Sequence, residues 1–176
     1  MRKPKTIIWT ALILFSLDFL LTVIFLNTSD HANEGNPLVY VHDGFVVLGM
    51  NVAYFLSILV LAKWIQRYQS VAIKARGTFD YVKKLYLSDH SRFIYVCLAF
   101  SFIHATIVSR IIVIIDWIVV GFYPSTFHST TYFMLRRQMP FERFDILAGF
   151  LAFFVFLVLW FHWEYKNQDE RICSSL

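Results

Sequence analysis

Four runs of apolar residues, at about 7–26, 45–65, 93–123 and 146–163, divide the chain, with polar connections between them. A helix crosses the hydrocarbon of a bilayer with roughly 20 apolar residues, so each run predicts a spanning helix. The pattern therefore predicts an all-α integral membrane four-helix bundle, built as two helical hairpins in one transmembrane domain over 1–176. A fifth stretch, about 67–87, differs in kind. Tyr68, Val71, Ala75, Phe79, Val82 and Leu85 recur every three or four residues, with Lys74, Arg76, Lys83 and Lys84 among them. That spacing predicts an amphipathic helix on an anionic membrane surface, broken near Gly77.

Polar residues inside the apolar runs are the candidate chemistry, because a charge at membrane depth costs about 3 kcal/mol or more without a partner or purpose. Asp18 lies about 16 Å from the start of the first run at 1.5 Å per residue, close to mid-bilayer. Thr22, four residues on, shares its helical face. The second run contains Asn51. The third is the most polar, with Ser101, His104, Thr106, Ser109, Arg110 and Asp116. At 100° per residue Ser101, Ser109 and Asp116 form one inward stripe. Arg110 falls on another face from Asp116, which makes Asp18 its natural partner. His104 points away from the stripe and is expected to serve packing. The phrase around Asp18, Leu17–Phe25, is echoed around Asp116 at Ile115–Tyr123, and Gly49–Trp64 is echoed at Gly149–Trp163. A duplicated hairpin would set Asp18 and Asp116 opposite each other about an axis along the membrane normal.

Composition agrees with this picture: of 176 residues, 58% are hydrophobic and only 16% charged. The net charge of +4 matters through its placement. Arg2, Lys3 and Lys5 precede the first run, none lies between the first and second, and seven crowd the 63–92 region. The positive-inside rule then places both termini in the cytoplasm of a multi-pass cell-membrane protein. Arg136, Arg137 and Arg143, in the third connection, run against the rule but are outnumbered. A basic helix beside a span is a lipid-surface element, so nucleic acid is not an expected partner. Cys97 and Cys173 fall on the reducing side and have no ligand spacing, which argues against a disulfide, a thiol enzyme or a zinc site. His31, Glu34, His42 and Asp43 fit no established metal spacing, so no metal ligand is assigned and no cofactor is identified.

Asp18-x3-Thr22 followed by Glu34-Gly35-Asn36-Pro37-Leu38 and an apolar helix resembles a family of small prokaryotic membrane proteins of unknown function. Those proteins carry Asp-x3-Thr in the first span and a Glu-x-Asn-Pro outer loop. The resemblance covers the first third of the chain, adds Glu34 and Asn36 as secondary candidates, and implies no activity. Three expectations follow. The first is a non-catalytic accessory or assembly subunit of a larger membrane complex, from the small size, the aromatic content and the lack of a catalytic motif. The second is a small oligomeric transporter or ion-handling protein that uses Asp18 and Asp116, with Thr22, Asn51 and Arg110 completing the site. The third is a membrane-embedded enzyme acting on lipid or cofactor. The bilayer, and either a membrane-protein partner or a second copy, are the expected partners.

Overall fold

The computed structural model describes residues 4–28, 44–69, 71–88, 92–122, 130–139 and 142–174. They form six helices and no strand: α1 (Pro4–Thr28), α2 (Gly44–Gln66), α3 (Thr78–Leu87), α4 (Arg92–Phe122), α5 (Thr131–Gln138) and α6 (Phe144–Ser174). Four are long and apolar enough to cross a membrane, over Lys5–Phe25, Leu48–Gln66, Arg92–Phe122 and Phe144–Asn167. Each lies within a few residues of its expected run. The 31 residues of α4 and of α6 extend each helix to about 46 Å, beyond the hydrocarbon at 1.5 Å per residue.

α4 is the central helix, and it packs against α1, α2 and α6. Small residues set its closest approach. A Cβ added at Gly149 of α6 would stand 3.4 Å from Ser109 Cβ and 3.7 Å from the Ala105 carbonyl, so α4 and α6 meet across small side chains. Ring contacts fix which ends meet. Trp64 near the end of α2 lies 6.5 Å from Tyr95 near the start of α4, and Phe93 lies 6.5 Å from Phe161 of α6. At the other end Phe25 of α1 stacks 6.2 Å from Trp117 of α4. Among the described residues, α2 and α6 make at most a marginal direct contact.

The main core joins the first half of α1, the second halves of α2 and α6, and the start of α4. Ile58, Phe100, Ile103 and Trp160 are buried there. Tyr81 and Leu85 of α3 enter the same core, so α3 is docked on the spanning helices through one face. The outward faces of the spans are apolar, as at Ile13, Val60, Ile115 and Val158, and suit contact with lipid.

The stretch before α3 departs from expectation. Residues 71–76 are not helical, and α3 begins only at Thr78. Val71, Ile73 and Ala75 alternate with exposed neighbours and pack on the core, which is the period-two pattern of extended chain. The two spacings coincide over so few residues that Val71 and Ala75 fit either one. Side chains from α3 satisfy the extended backbone: the Tyr81 hydroxyl donates to the Val71 carbonyl at 3.0 Å, and Lys84 Nζ to the Lys74 carbonyl at 2.8 Å. Burial pushes the Tyr81 phenol above its ordinary range, which keeps it a donor. A short helix, α5, also stands within the third connection, where only a polar loop was expected.

Candidate functional site

Asp18 is buried in α1, and Arg110 of α4 donates to its Oδ2. The guanidinium is flanked by rings, with its central carbon 4.5 Å from the Phe15 centroid and 5.9 Å from that of Tyr54. Cation–π contact of this kind gains strength where water is scarce. Thr22 does not bond the Asp18 carboxylate. Its hydroxyl donates to the Asp18 backbone carbonyl at 2.8 Å, a bond within α1.

A second ion pair stands near the first. Arg143 grips Asp145 at the start of α6 through two parallel bonds, Nε to Oδ1 at 2.9 Å and Nη2 to Oδ2 at 2.7 Å. The Ser109 hydroxyl of α4 adds a bond to Oδ2 at 3.3 Å. Asp145 occupies the first turn of α6, where the helix dipole favours a negative charge. Bidentate geometry fixes orientation as well as charge.

Both pairs line one cleft of about 580 Å³. Asp18 and Thr22 of α1, Asn51 and Tyr54 of α2, Ser109 and Arg110 of α4, and Arg143, Asp145 and Phe153 form its walls. α2 and α6 face each other across this cleft, lining it with Asn51 and Tyr54 on one side and Phe150 and Phe153 on the other. It presents two carboxylates and two guanidiniums beside amide, hydroxyl and aromatic groups. That set suits the binding of a solute carrying both signs of charge.

Asp116 stands elsewhere. It accepts from the Tyr132 hydroxyl and pairs with Arg136 Nη2 at 3.3 Å, so it fastens α5 to the end of α4. Burial, followed by the hydrogen bond to Asp116 and then its charge, pushes the Tyr132 phenol up and keeps it protonated as a donor. Arg136 Nε also donates to the Glu142 carbonyl at 3.0 Å. Glu142 has φ of 56°, left-handed backbone that a non-glycine residue adopts at a cost of about 1–2 kcal/mol. This turn immediately precedes Arg143. The echoed phrases around Asp18 and Asp116 thus lead to different surroundings.

Of the expected residues, the structure gathers Asp18, Thr22, Asn51 and Arg110 at the cleft and leaves Asp116 outside its lining. His104 lies between Phe100 and Phe156, with centroids 4.1 and 4.6 Å away, and its Nδ1 is 2.8 Å from the Phe100 carbonyl. Glu34 and Asn36 lie outside the described residues, as do His31, His42 and Asp43. Among the described residues no three His, Cys, Asp or Glu side chains gather as a metal site. Sequence reasoning missed Arg143 and Asp145 as cleft residues. Their signal was the basic residue in the third connection that ran against the positive-inside rule, two positions before an acid that opens a helix.

No family model, curated protein or solved structure matches this chain. The resemblance drawn from Asp18-x3-Thr22 and Glu34-x-Asn36-Pro37 therefore rests on those positions alone. Function has to be argued from the cleft.

Proposed function

We propose that this protein is a small transporter or solute-handling protein whose cleft takes a polar solute carrying both a positive and a negative group. One observation carries the reading: two ion pairs line a single cleft, their Asp18 and Asp145 carboxylates nearly covered and their Arg110 and Arg143 guanidiniums partly exposed. Guanidiniums that keep some exposure in a cleft can exchange a carboxylate partner for that of a solute, which a pair sealed between helices cannot. A dipolar solute would replace Asp18 on Arg110 with its anionic group and meet Asp145 or Asp18 with its cationic one. The reading includes a four-helix bundle of two hairpins with both termini in the cytoplasm, supported by the crowding of Lys and Arg between residues 63 and 92. Four spans are few for a monomeric carrier, so it also includes a homo-oligomer.

The test is transport by proteoliposomes on a solid-supported membrane. Jumps of zwitterionic amino acids and of quaternary-ammonium carboxylates are applied with and without a proton or sodium gradient. The wild-type chain should pass current or labelled solute, and Asp18→Asn and Asp145→Asn should each abolish it. Flux that survives both substitutions, or no response to any member of the panel, overturns the reading.

A second reading, an accessory subunit of a larger membrane complex, is favoured by α2 and α6, few of whose spanning residues are buried within the chain. Native mass spectrometry of gently extracted protein separates the two. Foreign subunits at fixed stoichiometry support the accessory role, and a homo-oligomer supports the transporter.

A further inference from the structure

α3 carries more apolar surface than its docking uses. Tyr81 and Leu85 fill one face and enter the core, while Asp80 and Lys84 pair at 2.9 Å on the solvated face. Between these lies a third face, with Phe79, Tyr86 and Leu87 among the most exposed large apolar residues of the chain. At 100° per residue, Lys83 stands between Phe79 and Leu87 on this face. An exposed aromatic and aliphatic face on a helix already docked by another face has to meet lipid or protein.

The same face walls a groove of about 550 Å³, completed by Phe93 and Ile94 of α4 and Phe161 of α6. Carbon lines it almost throughout, and Lys83 is its one charged wall residue among those described. The groove lies where α4 begins and the apolar window of α6 nears its end, which is the level of the bilayer surface for those helices. Arg92 opens α4 beside it and is exposed. Among the described residues, neither Lys83 nor Arg92 has a carboxylate partner. Charge along residues 74–92 of the sequence is lopsided: Lys74, Arg76, Lys83, Lys84 and Arg92 stand against Asp80 and Asp89.

We infer that this groove seats one acyl chain of an anionic phospholipid, with its phosphate held by Lys83 and Arg92. The apolar wall accepts the chain, and the long Lys83 stem runs along it to bring its ammonium to the headgroup level. A polybasic segment beside a span gains about 1 kcal/mol per Lys or Arg from an anionic leaflet, so the sign of charge selects the lipid while the groove fixes its place. α3 is thereby held against the bilayer on one face and against the spanning helices on the other. The site is separate from the cleft and does not depend on what the cleft carries.

The test uses the full chain in nanodiscs of mixed phosphatidylglycerol and phosphatidylcholine, released and weighed by native mass spectrometry. The wild type should retain one phosphatidylglycerol per chain at least fivefold over phosphatidylcholine. Lys83→Glu with Arg92→Glu should abolish that preference, whereas Lys5→Glu, on a helix that contributes no residue to the groove wall, should leave it. Phe79→Ser with Leu87→Ser should lower retention of both lipids, which reports the seat for the acyl chain. Excess inorganic phosphate should leave the lipid in place, since the chain anchors it. Amide exchange in α3 confirms that each variant is folded. Equal retention of the two lipids by the wild type, an unchanged preference in the Lys83/Arg92 variant, or release by phosphate alone would overturn the site.

Discussion

The two ends of the helical assembly solve the same packing problem with different chemistry. At one end, α3 and the adjoining parts of all four spans close around Ile58, Phe100 and Trp160, a mainly apolar core with Glu164 buried beside its Tyr68 and Tyr81. At the other end the buried apolar set shrinks to Phe25, Trp117 and Val120, and ion pairs with a cleft take the remaining space. In lipid the hydrophobic effect does not drive helices together, so dispersion packing holds the first end and specific polar bonds hold the second. Function is more reasonably sought at the end where packing is given up.

The largest effect should come from breaking a charge pair at the cleft. Arg110→Met leaves Asp18 buried without its partner, a loss of about 3–5 kcal/mol for buried pairs in general. Thermal unfolding in detergent, followed by tryptophan fluorescence, should show a large fall in Tm. The double variant Asp18→Asn with Arg110→Met should recover most of it, because no charge is then stranded. A double variant as unstable as the single one would mean that the pair contributes attraction and not merely neutralisation.

Trp160→Ala probes the other end. Truncating a buried Trp in a soluble core costs about 3–5 kcal/mol, and the membrane value should fall below that because lipid removes the transfer contribution. The fall in Tm should not be recoverable by any second polar substitution, in contrast to the charge pair. Solute binding to the cleft should survive, since Trp160 is not among its lining residues.

How far the sequence foretold these two ends differs as well. The spans were legible because composition and length alone define them. The Asp18–Arg110 pair was legible because two opposite charges in apolar runs have few other places to go. Arg143 and Asp145 were not, since their place at the cleft depends on how α6 crosses α4 at Gly149, a close approach that periodicity does not encode. Asp116 misled through its repeated phrase: local wording matched Asp18, but Tyr132 and Arg136 of a short helix in the connection claimed it. The 71–76 stretch misled because apolar residues two apart and four apart coincide over so short a run.

Two glycines sharpen the comparison at smaller scale. A Cβ at Gly121 would clash with the ring of Phe25, which is itself held against Trp117 and Phe122. Gly121→Ala should therefore destabilise by about 1–3 kcal/mol, the usual result of overpacking. Gly49 in α2 has nothing within 4 Å, so Gly49→Ala should be neutral or stabilise by up to about 1 kcal/mol through helix propensity. Paired Tm measurements check both signs. A stable Gly121→Ala protein would show that the small polar-end cluster can yield where the large core cannot.

The smallest expected effect lies on the solvated face of α3. The Arg76 backbone N–H donates to Asp80 Oδ2 at 3.0 Å, and Lys84 pairs with the same oxygen. These two contacts, the backbone bond foremost, hold the Asp80 carboxyl below its ordinary value of 3.8. A carboxyl with a lowered folded value stabilises fully above its unfolded value, and that contribution is lost as pH falls through the folded one. Protection of α3 amides should thus be flat from neutral pH down to about 4 and decline below it. Asp80→Asn should start lower and remove the decline. Because Asp80 is solvated, salt should shrink the difference. A loss of protection already under way near pH 6 would have to come from a group other than Asp80 and would overturn this assignment.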